Sequence, residues 1–249
     1  MTSMEASPAF VRADESCPGK RGLLRASDVT KSFGPTVALH GGELCVSAGE
    51  IVAVMGPSGS GKSTLLHCLA GVLLPDQGLV EYDGQRLDAM SDAERSRLRR
   101  TDFGFVYQFG QLVPELTAVE NTALPLLLER RRRREAVAVA QAWLETFGLA
   151  GLEKRRPGEL SGGEAQRVAV ARALVTDPRV IFADEPTGSL DSAAGVAVLD
   201  EFTGAVRSRG VAVVLVTHDA RVAAYAERTV LVRDGMVTSP DTARTVRAS

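Results

Sequence analysis

Gly56-Pro57-Ser58-Gly59-Ser60-Gly61-Lys62-Ser63-Thr64 has the spacing G-x-x-x-x-G-K-[ST]. Ile51-Val52-Ala53-Val54-Met55, just before it, has no polar side chain and reads as a buried strand. Leu65-Leu66-His67-Cys68-Leu69-Ala70, just after it, reads as a helix. That strand–loop–helix order turns a pattern match into a physical claim. The glycines let backbone N–H groups curl around a polyphosphate with no Cβ in the way. The helix that follows points the positive end of its dipole at the same charge. Lys62 is expected to reach the β- and γ-phosphates, and the Ser63 hydroxyl to ligate Mg²⁺. A chain with this segment is expected to bind a nucleoside triphosphate.

The 249 residues suffice for one large α/β domain or two small ones. No apolar run approaches the roughly 18–20 residues that span a bilayer. Residues 1–22 have no continuous apolar segment and read as a disordered N-terminal extension without a signal peptide. A net charge of −2 gives no electrostatic case for a nucleic-acid binder. Cys17, Cys45 and Cys68 form no C-x-x-C pair, and their odd number fits a reducing cytosol. With three histidines in the chain, a His-rich metal site is not expected.

Leu23–Phe33 and Val37–Val46, separated by Gly34-Pro35, read as a β-hairpin. Gly78–Tyr82 and Gly104–Tyr107 read as short strands, with a polar helix over Ser91–Arg100 between them. A helical middle follows from Thr117 to about Gly148. Thr117 and Glu120 have capping-box spacing, Pro125 is expected to kink or interrupt the helix, and Gly148 to stop the next one. The run Arg130–Arg134 reads as a solvated helix boundary. Strand and helix then alternate: Val180–Ala183, Ala193–Arg207, Val211–Val216 and Ala220–Ala226. Asp234-Gly235 marks a final hairpin between Arg228–Arg233 and Met236–Thr238. The pattern predicts an α/β fold with a mostly parallel sheet covered on both faces, an N-terminal antiparallel β subdomain and an inserted α-helical subdomain.

Two further segments carry chemistry. Val180–Ala183 is an apolar run that ends in Asp184 and Glu185. In open α/β sheets ligands sit beyond the carboxyl ends of strands, which places both carboxylates beside the phosphate loop. Asp184 is expected to hold Mg²⁺, directly or through water, and Glu185 to act on the attacking water as general base or to orient it. Leu160-Ser161-Gly162-Gly163-Glu164 opens the helix Ala165–Val175 with a capping box from Ser161 to Glu164. Its two glycines make a second anion-attracting helix N-terminus. One chain has one triphosphate to hold, so the second terminus is expected to serve the nucleotide on another copy.

In these elements the sequence resembles the ATP-binding-cassette ATPases, the nucleotide-binding subunits of ABC transporters, from about Leu23 to Val237. The resemblance makes Gly56–Thr64 the Walker A loop, Leu160–Glu164 the signature and Val180–Glu185 Walker B. It makes Gln108 the glutamine-loop residue, which contacts Mg²⁺ and water. It makes Ser189-Leu190-Asp191 the D-loop, with Asp191 at the nucleotide interface, and His218 the switch histidine that contacts the γ-phosphate. Phe33 fills the slot of the aromatic that stacks on adenine; tyrosine is more usual there, and phenylalanine keeps the ring face without the hydroxyl. Ala165 replaces the glutamine common after the signature. The implied domain runs over 23–238, with its helical subdomain at about 90–160 and a tail at 239–249.

Phe105–Phe109 with Leu112–Thr117, Glu120–Leu126, Arg156–Leu160 and Ala183–Asp191 look like one branch of that family. It serves macrolide and peptide exporters, lipoprotein extraction and cell division. The resemblance implies an ATPase that uses ATP and Mg²⁺ and dimerises with a second copy of itself. It also implies a transmembrane permease partner of the four-helix type with a large extracytoplasmic domain, no nucleic acid, and a place on the cytoplasmic face of the membrane. Export or mechanotransmission is the expected task. A regulatory ATPase that controls a cell-wall hydrolase through a membrane partner stays open, as does a cassette protein acting on ribosomes or DNA. The apolar tract Leu112–Leu128 has more apolar residues than one helix face needs and is expected to dock a permease helix.

Overall fold

Each central strand of the principal sheet is a short apolar run, the pattern of a strand covered on both faces. The computed structural model describes residues 22–238; the N-terminal extension before them and the tail 239–249 lie outside the described residues. The strands in chain order are β1 (Leu24–Phe33), β2 (Thr36–Val46), β3 (Ile51–Met55), β4 (Gln77–Tyr82), β5 (Gln85–Arg86), β6 (Phe103–Tyr107), β7 (Val180–Asp184), β8 (Ala212–Thr217), β9 (Arg228–Arg233) and β10 (Met236–Thr238). The helices are α1 (Lys62–Leu69), α2 (Asp92–Thr101), α3 (Ala118–Leu128), α4 (Arg133–Thr146), α5 (Gly162–Leu174), α6 (Ser192–Arg209) and α7 (Ala220–Ala223).

Two sheets result. The principal one has the order β10-β9-β3-β8-β7-β6, parallel except for β10, which turns back on β9 through Asp234-Gly235. The other, β2-β1-β4-β5, is antiparallel. Alternation along the strands divides the core in two. Ile181, Ala183, Val213 and Leu215 face a layer built from α3, α4, α5 and α6. Val180, Phe182, Val214 and Val216 face α1 and the antiparallel sheet. Helices α3 and α4, with the start of α5, form the insertion between β6 and β7. Parallel register brings the carboxyl ends of β3, β8, β7 and β6 into line: Met55 pairs with Thr217, Asp184 with Val216 and Tyr107 with Asp184. The line of strand ends is where the site forms.

Two local expectations need correction. Pro125 does not interrupt α3, which runs through it to Leu128. Proline removes one amide, and the next turn closes with Glu129 N donating to Pro125 O at 3.1 Å and Arg131 N to Leu126 O at 3.0 Å. Before it, the wholly buried Asn121 ties the helix start to Val113 and Leu116 through its side chain. The helix expected over Ala220–Ala226 stops at Ala223. There Tyr225 and Ala226 bond back three residues, tightening the turn, and Glu227 pairs with both the N–H and the C=O of Ile51 to start β9.

Candidate active site

The phosphate loop leaves β3 at Met55 and enters α1 at Lys62. A Cβ on Gly56 would lie 2.0 Å from the Val232 carbonyl oxygen, and one on Gly61, at φ 104°, 2.4 Å from that of Ala38. Only glycine lets the loop lie this close to β9 and β2. The α1 N-cap is Gly61, with no side-chain cap and no acidic residue in the first turn. The first amides of α1 therefore stay open to an external anion. Pro57, Ser58 and Gly59 form the exposed tip, while Ser60 is buried. The Ser60 hydroxyl has no hydrogen-bond partner among the described residues. Lys62 is buried, and its Nζ donates to the Pro57 carbonyl at 2.8 Å. A buried ammonium beside open amides fits a polyphosphate; Ser63 and Thr64 extend the same first turn.

Asp184 ends β7, and burial raises its carboxyl pKa, opposed by a hydrogen bond from Ser63 and by the charges of His67 and Lys62. A hydroxyl beside a half-buried carboxylate is a hard-oxygen donor set. Among the described residues no cluster of three or more His, Cys, Asp and Glu could hold a metal ion. The pair suits Mg²⁺, which takes one or two carboxylates and completes its shell with water and substrate phosphate.

Glu185 adopts φ 48°, the left-handed region rare for a side-chain-bearing residue, and so leaves the line of β7. Its amide donates to Val216 O at 2.9 Å, anchoring the turn to β8. Its Oε1 lies 2.6 Å from His218 Nδ1, and its Oε2 accepts from Thr217 Oγ1 at 3.3 Å. Thr217 Oγ1 in turn accepts the Asp219 amide at 3.0 Å. The carboxylate is thus held by two neighbours while His218 stays exposed. Gln108, one residue past β6, lies against Gly188, where an added Cβ would meet its Nε2 at 2.8 Å. A cleft of about 210 Å³ beside these groups is lined by Glu185, Gly188, Asp191, Thr217, His218 and Arg221 among others.

Ser161, Gly162, Gly163 and Glu164 are elsewhere. Ser161 caps α5: its hydroxyl accepts the Glu164 amide at 3.3 Å, and Glu164 Oε2 accepts the Ser161 amide at 2.7 Å. This segment packs on the start of α6, with Leu190 nearest Gly162 and Ala194 nearest Gly163. Helix α5 packs chiefly on α3, α4, β6 and α6, whereas α1 packs on β1, β2, β7 and β8. Asp191 caps α6, its Oδ1 accepting the Ala193 and Ala194 amides. Phe33 ends β1 and is half-exposed. The structure therefore gathers Gly56–Thr64, Asp184, Glu185, His218 and Gln108 along the strand ends and leaves Ser161–Glu164 apart.

The family model described as ABC transporter matches residues 39–188, from β2 through the phosphate loop to the turn after Glu185. The chain belongs to the ABC transporter ATP-binding family. It is similar to the lipoprotein-releasing system ATP-binding protein LolD 2 of Caulobacter vibrioides, 46% identical over 202 residues, which cover 81% of this chain and 89% of that protein. The LolD protein of Shewanella denitrificans is 41% identical over 231 residues, covering 91% and 99%. Among solved structures, the dimeric post-hydrolysis state of the ATP-binding cassette MJ0796 bound to ADP and Pi matches at a TM-score of 0.79 and 38% identity, covering 86% of this chain and 96% of that one. The chain is an ABC-type ATPase, within the branch that its motifs resemble. No helix among the described residues is long and apolar enough to cross a membrane.

Sequence reading missed several residues of this ABC site. Thr217 holds Glu185, and a hydroxyl just before the strand-end histidine was the available signal. Val232 and Gly235 back the Walker A loop from β9 and the following turn, with Gly235 N donating to Ser60 O at 3.0 Å. Gln166 and Arg172 bond the glutamine loop from α5, and no local pattern marks them.

Proposed function

We propose that this chain pairs head to tail with a second copy, holds two ATP between the copies and drives a separate membrane permease. The observation that carries the reading is the place of Ser161–Glu164, an exposed glycine-rich helix start packed away from its own phosphate loop. In a two-fold pair each chain lends that start to the nucleotide on the other's Walker A loop. The dimeric state of the MJ0796 cassette supports this arrangement.

In the proposed site Lys62 and the amides of Gly59–Thr64 bind and orient the phosphates, and Phe33 stacks on the base. Ser63, Asp184 and Gln108 would hold Mg²⁺, and the ion would offset the charge that builds on the phosphate oxygens. Glu185 orients the attacking water and accepts its proton. His218, 2.6 Å from Glu185, keeps that carboxylate in place and reaches the γ-phosphate. Ser161, Gly162, Gly163 and Glu164 close the partner's nucleotide, with Asp191 at the same interface. Residues 23–238 form the ATPase domain, with a helical subdomain at about 90–160.

The names of the similar proteins support lipoprotein release as the task. The partner in this proposal is a four-helix permease with a large extracytoplasmic domain, the kind of subunit that the branch motifs imply. The ATPase then works at the cytoplasmic face of the membrane through that permease. The docking surface lies by the glutamine loop. Phe109 is 73% exposed, and a cleft of about 240 Å³ beside Tyr107, Gln111 and Pro125 can take one or two side chains of a docked helix. From the tract Leu112–Leu128, Ala123 and Leu126 are core, while Leu128 is exposed.

Glu185→Gln tests the reading. It is expected to keep ATP binding, to hydrolyse at least about a hundredfold more slowly and to accumulate as an ATP-bound dimer in sedimentation. Near-wild-type hydrolysis by a clean preparation would remove Glu185 from the mechanism. Phe109→Asp is expected to lose co-purification with the permease and keep basal hydrolysis. Unchanged co-purification and transport would place docking elsewhere.

A further inference from the structure

The turn between α3 and α4 carries Arg130, Arg131, Arg132, Arg133 and Arg134, all exposed. Arg133 Nη2 meets Glu120 Oε1 at 2.8 Å, and the neighbouring Glu129 is taken by Arg100 Nε at 2.6 Å. The side chains of Arg130, Arg131, Arg132 and Arg134 make no ion pair and no hydrogen bond among the described residues. Leu128, the last residue of α3, is 57% exposed beside them. The whole chain has a net charge of −2, so this positive charge is local.

The fold has little use for it. Arg131 N donates to Leu126 O and Arg130 N to Leu127 O, each at 3.0 Å, the pattern that ends a helix on a left-handed residue. Glycine is the usual occupant of that place; here it is Arg130, at φ 60°. Arg130 and Arg131 suit the negative end of the α3 dipole. Arg132, however, is the N-cap of α4 without a side-chain cap, and Arg133 and Arg134 begin that helix at its positive end. Adjacent like charges add their own repulsion. Neither cleft described above is lined by any of the five. The charge is aimed outward.

We infer that Leu128 and Arg130–Arg134 form a contact surface for anionic lipid headgroups. Guanidinium forks pair with phosphate, and their apolar stems can lie along acyl chains. An exposed leucine among cations is the composition of a surface that rests on a bilayer. The run has no aromatic side chain on which a nucleic-acid base could stack. Place supports the same partner. Pro125, in the last turns of α3, lines the cleft assigned above to the permease, as does Arg99, the neighbour of Arg100. A chain docked there holds this turn beside the membrane, and to that extent the orientation rests on the docking reading. The lipid contact itself is made by this chain alone.

The test is sedimentation of the full-length chain, without permease, with two kinds of vesicle. One is phosphatidylcholine alone; the other is phosphatidylcholine and phosphatidylglycerol in roughly equal parts. Binding is expected to be at least about tenfold tighter to the anionic vesicles at low salt, and to be lost at about 0.5 M salt. The fourfold variant Arg130→Gln, Arg131→Gln, Arg132→Gln and Arg134→Gln should bind them at least about a hundredfold more weakly, at roughly fivefold per arginine near an anionic surface. Its ATP hydrolysis in solution should stay within about twofold of wild type, because no nucleotide contact is removed. The same four positions changed to lysine should keep most of the binding, and Leu128→Gln should weaken it about threefold. Equal binding to both kinds of vesicle would overturn the inference, as would wild-type binding by the folded fourfold variant. Tighter binding to a mixed-sequence oligonucleotide than to the anionic vesicles, at equal phosphate, would overturn it in favour of a nucleic-acid surface. Phe109→Asp should leave vesicle binding unchanged, so a failure of permease docking is told apart from a failure of lipid contact.

Discussion

In the proposed two-chain site the helix starts at Gly61 and Ser161 both face a nucleotide, and they are built by opposite means. Helix α1 begins on a glycine at φ 104°, with no side-chain cap, no acidic residue in its first turn and the buried Lys62 as its first residue. Helix α5 begins on a serine that caps it, and Glu164 in the first turn answers with its own carboxylate. Hydrogen bonds from the Ser161 amide and hydroxyl hold that carboxyl below its usual pKa, so it is charged at neutral pH. The first start is bare and cationic and can hold a polyphosphate alone. The second is already partly satisfied and carries a negative charge, so it attracts a free anion poorly. It contributes once a nucleotide fixed elsewhere is brought against it. In the proposed pair one start binds and the other closes.

Variants at the two starts should therefore differ in kind. The largest expected effect is that of Gly162→Arg: hydrolysis falls at least about a hundredfold, as when transition-state donors are removed, while ATP affinity of the monomer is unchanged by calorimetry. Gly162 is exposed and its nearest neighbour is the flexible Leu190 side chain, so the variant should fold. Weakened monomer binding in that variant would break the comparison. Lys62→Ala is expected to do the reverse, weakening monomer binding itself by roughly ten- to hundredfold, the range of a lost bond to a charged group. Thr217→Val should lower kcat about threefold with affinity intact, because it frees Glu185 from one of its two holders.

The smallest effect is one of stability. Burial raises the Asp184 pKa, which means that the charged carboxylate is unfavourable in the nucleotide-free fold. Asp184→Asn should then melt about 2–4 °C higher without ligand, the shift expected per kcal/mol at this size. It should lose Mg²⁺-dependent hydrolysis at the same time. A lower melting temperature would show that the bond from Ser63 outweighs desolvation.

The sequence made the first start easier to read than its surroundings. Phosphate loop, flanking strand and helix are contiguous, so glycine spacing and apolar pattern carry the reading from Ile51 to Ala70. The capping boxes at Thr117 and Ser161 were legible for the same reason, being contained within four residues each. Contacts across the sheet were not legible. Gln166 and Arg172 reach back 59 and 62 residues, and nothing near them in sequence announces a carbonyl to bond. The left-handed turn at Glu185 is also hidden, because it follows from the bond between its amide and Val216. At Asp191 a side chain matched to a nucleotide-facing loop has a second, local use as the cap of α6.

Mixing two defective chains tests the division of labour most directly. Lys62→Ala and Gly162→Arg are each combined with Glu185→Gln and examined with ATP, singly and together, for mass and bound nucleotide. In the mixed pair one site joins an intact Walker A loop to an intact signature, and the other carries both defects. The account predicts that neither parent dimerises with ATP, while the mixture forms a dimer that retains a single ATP. Monomers throughout, or a parent that dimerises and traps ATP as well as the mixture does, would contradict a site shared between two chains.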